Sequence, residues 1–175
     1  MVSAVVLAAG AATRFGSPKQ RLLLAGVLER VEAAPSVERI VVVAGAHPLE
    51  SPAEVVECAD WSAGPGASLR CGLAVLAPAA EAAVVVLADG PDLAPAAIER
   101  VVRAWRLGEG AVIAASYGGK RGHPVVLDRT VWGEIPDEGA RALVARLVAC
   151  DDLGAPGDID TPEDLAGRAG VSSAE

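Results

Sequence analysis

The stretch SAVVLAAGAATRFGSPKQ, residues 3–20, joins an apolar run to a turn of small residues that carries two cations. The run SAVVLAA is short and continuous, which is typical of a strand buried on both faces of a parallel sheet. Small residues such as Gly10 let backbone N–H groups approach a ligand closely. Arg14 then offers a planar fork for an anion, and Lys19 offers a point charge. The stretch predicts either an anion-binding turn or a solvated loop with two surface cations.

The rest of the chain repeats this alternation of strand and helix. Apolar runs resembling strands recur at 39–45, 82–89 and 110–116, and helical periodicity occurs at 95–105 and 140–149. This pattern predicts an α/β domain with a mostly parallel sheet. Ligands of such sheets bind beyond the carboxyl ends of the strands, where the polar motifs of this chain fall. We expect a single domain over 1–169 and a frayed tail over 170–175.

Composition narrows the classes of function. The chain has 175 residues and a formal net charge of −8, which excludes a general nucleic-acid binder but not a small anionic substrate held by local cations. The three cysteines form no C-x-x-C pattern, so reduced, buried thiols of a cytosolic protein are expected. The apolar start is too short to span a bilayer and lacks a basic leader. These features predict a cytoplasmic protein without a membrane partner.

Acidic side chains in two places are candidates for a metal site. Asp89 closes the apolar run at 82–89, where a carboxylate can either hold Mg²⁺ or form a turn. Asp92 suits the role of helix cap better than Asp89 does. Asp158 and Asp160 flank Ile159 and would point to one side of an extended segment. Together with Asp89 they can complete a metal site.

Two glycine-rich loops have both structural and functional interpretations. In WSAGPGASLRCGL, residues 61–73, Ser68 either caps a helix or contacts a ligand, and capping is the simpler interpretation. In GGKRGHPVVL, residues 118–127, a basic loop enters a strand. It either grips an anion or forms a plain hairpin, and His123 alone is more often structural than catalytic.

Taken in order, the stretches LAAG, RFGSPKQ, WSAGPGASLRCGL, LADGPDL, RGHPVVL, DEGAR and DIDTPEDL resemble the MobA/MocA-like nucleotidyltransferases, the molybdenum cofactor cytidylyltransferase and guanylyltransferase group. The resemblance implies a three-layer α/β/α Rossmann-like nucleotidyltransferase fold. It implies an Mg²⁺-dependent enzyme that transfers NMP, with CMP from CTP preferred, to a phosphorylated small-molecule acceptor, molybdopterin, and releases pyrophosphate. It also implies handover of the product to a molybdoenzyme or its chaperone.

The resemblance further implies roles for individual residues. Lys19 would contact the α-phosphate, Arg14 would stabilise departing pyrophosphate, and Asp89 would hold the metal with Asp158, or with Asp160 as its competitor. The implied catalytic residues are Arg14, Lys19 and Asp89. The implied nucleotide-binding set is Leu7, Ala8, Ala9, Gly10, Arg14, Lys19, Gly64, Ser68 and Asp89. The implied acceptor-binding set is Arg121, Gly122, His123, Pro124 and Arg141.

Some positions depart from the family pattern and keep alternatives open. Gly90 stands where relatives carry a larger polar residue, and Cys58-Ala59 replaces a common Asn-Pro. Phe15 favours CTP over GTP. The alternatives are a phospholactate guanylyltransferase of the same superfamily and a nucleotide-binding regulatory module without catalysis.

Overall fold

The described part of the chain, residues 1–10 and 19–157 of a computed structural model, is built on a seven-stranded sheet with helices on both faces. The strands are β1 (Val2–Leu7), β2 (Arg39–Ala44), β3 (Glu54–Glu57), β4 (Ala82–Leu87), β5 (Val112–Tyr117), β6 (Lys120–Asp128) and β7 (Arg146–Ala149). The α-helices are α1 (Lys19–Glu32), α2 (Pro65–Ala74) and α3 (Pro95–Arg106). Short 3-10 helices occupy Trp61–Ala63, Arg129–Glu134, Ala140–Ala142 and Asp151–Leu153.

The strand order is β3-β2-β1-β4-β6-β5-β7. Strands β1 to β4 pair in parallel, and β7 pairs in parallel with β5. Strand β6 is antiparallel to both of its neighbours. In the centre, Val5 of β1 pairs with Val41 on one side and with Val85 on the other. The predicted mostly parallel α/β sheet is confirmed.

The side chains of β1 alternate between two hydrophobic cores. Ala4 and Val6 pack with α1 and α3 on one face of the sheet, and Val5 packs with α2 on the other. All three residues are fully buried. A strand covered on both faces needs apolar residues at every position, which explains the continuous run that the sequence shows. The predicted three-layer arrangement is confirmed.

Helix α3 matches its predicted position at 95–105 and extends one residue further. Ile98, Val101 and Val102 are fully buried on one stripe, and each contributes roughly 1.5–3 kcal/mol by leaving water. The N-cap of α3 is Ala94, which makes no side-chain hydrogen bond to the helix. The expectation that Asp92 caps this helix is therefore wrong.

The helix predicted at 140–149 is wrong. A 3-10 helix covers Ala140–Ala142, and Arg146–Ala149 forms the edge strand β7. Pairing of this strand with β5 overrides a helical periodicity that spans only ten residues. The periodicity would have buried Val144, yet this side chain is 95% exposed.

Several predictions fall on residues 11–18 and 158–175, which lie outside the described residues. They concern Arg14, Phe15, Asp158, Asp160 and the tail. Helix α1 begins at Lys19, the residue that directly follows the first of these two ranges. Within the part of the chain that the structure describes, no helix is long and apolar enough to cross a membrane.

Candidate active site

The turn that follows β1 is tied to both neighbouring strands by backbone hydrogen bonds. The amide of Ala8 donates to the carbonyl of Val43 in β2 at 2.9 Å, and the carbonyl of Ala9 accepts from the amide of Ala46, beyond β2, at 3.1 Å. On the other side, the carbonyl of Leu7 accepts from the amide of Ala88 at 3.1 Å. Ala8 and Ala9 are buried and Gly10 is exposed. The turn at 7–10 thus lies directly beside the turn that follows β4.

The turn after β4 carries Asp89, which is half-buried. The amide of Asp92 donates to the carbonyl of Pro156 at 2.7 Å. A Cβ added at Gly90 would lie 3.0 Å from the Cβ of Pro156 and 3.6 Å from the carbonyl oxygen of Gly157. The absence of a side chain at position 90 therefore lets a later segment pack closely on the Asp89 turn.

Of the metal ligands expected from the sequence, only Asp89 lies within the described residues. Within residues 1–10 and 19–157, no three or more His, Cys, Asp or Glu side chains form a group that could hold a metal ion. Asp158 and Asp160 lie outside the described residues. The described chain ends at Gly157, against the Asp89 turn.

The glycine-rich stretch at 64–68 opens helix α2. The helix begins at Pro65 after Gly64, whose φ of 129° is a conformation that favours glycine. Ser68 lies inside the helix, 4% exposed, so the expectation that it caps the helix is wrong. A Cβ at Gly64 would lie 2.7 Å from the carbonyl oxygen of Asp137. The loop is therefore packed directly against a distant part of the chain.

The stretch GGKRGHPVVL forms the hairpin that joins β5 to β6. Gly118 and Gly119 make the turn with φ angles of 59° and 73°. The amide of Gly118 donates to the carboxylate of Asp151. The hairpin interpretation is thus confirmed, and the Gly118 amide is already bound within the protein. Lys120, next in the hairpin, is exposed.

His123 lies on β6, is partly buried, and lines a space that it shares with Gly90 of the Asp89 turn. The hydroxyl of Tyr117 donates to the carbonyl of His123 at 3.0 Å, and the Tyr117 ring packs over Gly122. Burial, and after it the Arg121 guanidinium, lower the pKa of His123 to about 4, although the Asp89 carboxylate acts in the opposite direction. At neutral pH this imidazole is therefore neutral and carries no positive charge that could attract an anion.

A cavity of about 480 Å³ opens between the Asp89 turn, the start of β6 and the chain at 155–157. It brings apolar side chains together with the cationic side chains at the start of β6. Its lining comprises Val86, Leu87, Gly90, Leu93, Tyr117, Lys120, Arg121, Gly122, His123, Ala155, Pro156 and Gly157. The dimensions and charge suit a small anionic molecule.

The two arginines expected to bind the acceptor differ in their surroundings. The guanidinium of Arg121 donates to the carbonyls of Leu143 at 2.6 Å, Ala140 at 2.8 Å and Arg141 at 3.4 Å. Burial lowers its pKa. The side chain of Arg141 is exposed. Arg121 thus lines the cavity while its guanidinium holds main-chain carbonyls.

Sequence reasoning missed two side chains near the site. Arg70 of α2 donates to the carbonyl of Ile135 at 2.8 Å and to the carboxylate of Asp137 at 2.7 Å. Trp61 packs so closely that a Cβ at Gly45 would lie 2.6 Å from its own Cβ. The glycine at position 45, directly after β2, could have indicated the close contact with Trp61. No feature of the neighbouring sequence indicates the contacts of Arg70, which are with residues 135 and 137.

The expectation of three reduced thiols is wrong for two of them. Cys58 and Cys71 form a disulfide with a Cα–Cα distance of 5.8 Å, and they are separated by 13 positions in sequence. The end of β3 and helix α2 bring them together, which a search for local pairs cannot detect. Cys150 is a buried free thiol whose pKa is raised by burial.

Comparison with known proteins identifies the family of the chain. The model of the MobA-like NTP transferase domain matches residues 4–150. No relative is found among the curated proteins. A Mycobacterium sp. strain JC1 homolog of Mycobacterium tuberculosis Rv0371c is 25% identical with a TM-score of 0.80, and the match covers 99% of this chain and 98% of that one.

Two further solved structures are similar. Rv0371c of M. tuberculosis H37Rv in complex with manganese is 28% identical, with a TM-score of 0.74 and 99% of each chain covered. A nucleotidyl transferase from Methanothermobacter is 20% identical, with a TM-score of 0.73, 96% of this chain covered and 95% of that one, and supports the fold alone. The family match spans most of the sequence, and the chain belongs to the MobA-like NTP transferase family of nucleotidyltransferases.

Proposed function

We propose that this nucleotidyltransferase moves CMP from CTP to the terminal phosphate of a phosphorylated small molecule, molybdopterin, and releases pyrophosphate. The observation that carries the proposal is the position of the turn at 7–10 beside the turn of Asp89, with a cation-lined cavity adjoining. A turn of mostly small residues, a candidate metal ligand and a second space for a ligand thus lie along one edge of the sheet, where ligands of such sheets bind.

The nucleotide half of the cleft is assigned to the chain around β1 and α2. Backbone groups at 7–10 and the loop at Gly64 offer close approach to phosphates and ribose, because they carry little or no side chain. Arg14 and Lys19 are proposed to bind the phosphates and to offset charge that develops on the leaving pyrophosphate. We assign Ser68, which is buried near the start of α2, to the nucleotide as well.

Asp89 is proposed to hold Mg²⁺ together with Asp158, with Asp160 as the competitor. Carboxylate oxygens are the ligands that Mg²⁺ prefers, and the close packing of Gly157 on the Asp89 turn fits a ligand set drawn from both segments. The manganese complex of the similar Rv0371c supports a divalent cation. When bound, such an ion supplies charge neutralisation on the transferring phosphates.

The acceptor half is assigned to the cavity beside β6. The cavity is lined by exposed Lys120, Gly122 and His123, and we assign Pro124 and the exposed cation Arg141 to the acceptor as well. An acceptor phosphate is already ionised at neutral pH, so the reaction needs no general base. The low pKa of His123 agrees with this, because an imidazole with a pKa of about 4 is a weak base at neutral pH.

The test is pyrophosphate release with each NTP against a panel of phosphorylated acceptors, with Asp89→Asn as the inactive control. Release that needs both CTP and molybdopterin supports the proposal. Release with GTP and phospholactate instead supports the guanylyltransferase alternative. Nucleotide binding without release from any pair supports the regulatory module and contradicts the proposed reaction.

A further inference from the structure

A segment comprising residues 135–143 lies between the start of helix α2 and the start of β6. The amide of Gly66 donates to the carbonyl of Asp137 at 2.9 Å. A Cβ at Gly66 would lie 1.8 Å from the carbonyl oxygen of Pro136, and one at Gly139 would lie 3.5 Å from the Gly66 nitrogen. Backbone therefore meets backbone, with no side chain between. The 135–143 segment is thus packed directly against the loop at 64–68, which is assigned to the nucleotide.

An arginine holds this segment from the side of α2. One terminal nitrogen of Arg70 donates to the carbonyl of Ile135 at 2.8 Å, and the other donates to the carboxylate of Asp137 at 2.7 Å. The first contact is part-buried, and Ile135 is itself buried at 5% exposure. Arg70 thus ties the first half of the segment to the helix whose N-terminal loop is assigned to the nucleotide.

A second arginine holds the segment from the side of β6. Arg121 donates to the carbonyls of Ala140 and Leu143 from its two terminal nitrogens, at 2.8 Å and 2.6 Å, and both contacts are part-buried. A guanidinium presents its donors in a rigid fork, so it can hold two separate carbonyls at once. A lysine ammonium in the same place would have one nitrogen and could not reproduce this geometry.

We propose that Arg70 and Arg121 are positioning residues that clamp the 135–143 segment between the nucleotide and acceptor halves of the cleft. Arg121 then acts through the segment and not as a direct ligand of the acceptor phosphate. The proposal rests on the proposed function for its kinetic consequence. Its structural consequence, a loosened segment, can be measured without turnover.

The first experiment compares Arg121→Ala and Arg121→Lys with Arg129→Ala as the matched control. Arg129 also holds carbonyls, those of Ala77 and Ala80, but at the opposite end of the sheet. Amide hydrogen exchange should accelerate within 135–143 in both Arg121 variants and not in the Arg129 variant. The KM for the NTP and the KM for the acceptor should both rise, about tenfold or more, because part-buried bonds to a charged group are lost.

The second experiment uses Gly66→Ala, which changes no charge. The added methyl must displace the carbonyl of Pro136, so the same exchange pattern and the same joint rise in both KM values are expected. Gly26→Ala in α1 is its control, since nothing lies within 4 Å of a Cβ there. If Arg121→Ala does not fold, Arg121→Lys and Gly66→Ala carry the test.

The proposal is overturned if Arg121→Lys keeps a normal acceptor KM while Arg121→Ala raises only that KM, with unchanged exchange in 135–143. Such a result would make Arg121 a direct acceptor cation. Calorimetric NTP affinity and hydrogen exchange are independent of turnover. A chain that transfers no nucleotide would therefore defeat the proposed function and still leave the clamp tested by these two readouts.

Discussion

At the scale of single residues, the region around the cavity contains both charged and neutral side chains. Lys120 and Arg141 are exposed cations, whereas His123 is kept neutral at pH 7 by burial and by the nearby Arg121. Asp89 is half-buried at the end of β4. A small acidic protein can attract an anionic acceptor only through such local cations, because the net charge of −8 repels it at longer range.

Replacing Asp89 should abolish turnover without unfolding the protein. Asp89→Ala is expected to lower kcat roughly 10²-fold or more, since it removes the proposed metal ligand from the transition state. The thermal midpoint should change little, because Asp89 lies in a turn and not in the hydrophobic core. Steady-state kinetics and calorimetry check both parts. A variant that loses thermal stability yet keeps most of its activity would identify Asp89 as a turn former.

His123 should make stability depend on pH in a defined window. Its folded pKa of about 4 lies below the unfolded value near 6.5, so the unfolded chain binds more protons between these values. The contribution of neutral His123 to the free energy of unfolding is fully present above about pH 6.5. It is lost as the pH falls toward 4, by up to about 1.4 kcal/mol per pH unit. Urea unfolding in EDTA measures this slope. His123→Gln should flatten it, and equal slopes in both proteins would contradict the assignment.

The sequence pointed to Asp89 and His123 because each stands where an apolar run meets glycine or proline. It could not predict the hydrogen bonds of Arg121, because the partners of that side chain are carbonyls about 20 residues away. Ser68 was misjudged for a related reason. The structure shows that α2 begins at Pro65, after the N-cap Gly64, so that Ser68 already lies inside the helix.

At the scale of elements, long continuous apolar runs were predictable and short ambiguous ones were not. The strands at the sheet centre are recognisable as continuous apolar runs, because both of their faces are covered. Strand β7 has only four residues and is defined by its pairing with β5, so the local pattern at 140–149 predicted a helix instead. The fold class survives this error, because an edge strand adds to the sheet without changing its order.

The disulfide between Cys58 and Cys71 should stabilise the link between β3 and α2. Under oxidising conditions Cys71→Ser is expected to lower the free energy of unfolding by about 2–4 kcal/mol, as for a closed loop of this length. Under reducing conditions the variant and the unmodified chain should have similar stability, which serves as the internal control. Thiol titration in denaturant without reductant should find one reactive cysteine, Cys150. Three reactive thiols would show that the bond is not formed.

At the scale of the whole molecule, the strand order sets the cleft. Because β4 stands between β1 and β6, the turn at 7–10 and the cavity beside β6 lie on opposite sides of the Asp89 turn. The sequence predicted this edge from the polar motifs that follow the strands, but it could not predict the packing of 155–157 on the Asp89 turn. That contact joins residues more than 60 positions apart and depends on the missing side chain at Gly90.

Arg141 should act on the acceptor alone. Arg141→Ala is expected to raise the acceptor KM several-fold and to leave NTP affinity nearly unchanged, since an exposed cation contributes uniform binding. The effect should weaken in high salt, where screening shortens the reach of the charge below about 8–10 Å. Initial-rate kinetics at two ionic strengths, with calorimetry for the NTP, measure it. Lost NTP affinity with a normal acceptor KM would mean that the two halves of the cleft are reversed.

The central claim is that one bond, between the α- and β-phosphates of an NTP, is broken at Asp89 while the α-phosphate joins the acceptor. It is tested most directly by following CTP labelled at the α-phosphate or at the γ-phosphate with molybdopterin present. The account predicts that α-label appears in the acceptor product, that γ-label appears in pyrophosphate, and that Asp89→Asn produces neither. Label from the γ-phosphate in the acceptor, or α-label only in free CMP, would contradict it.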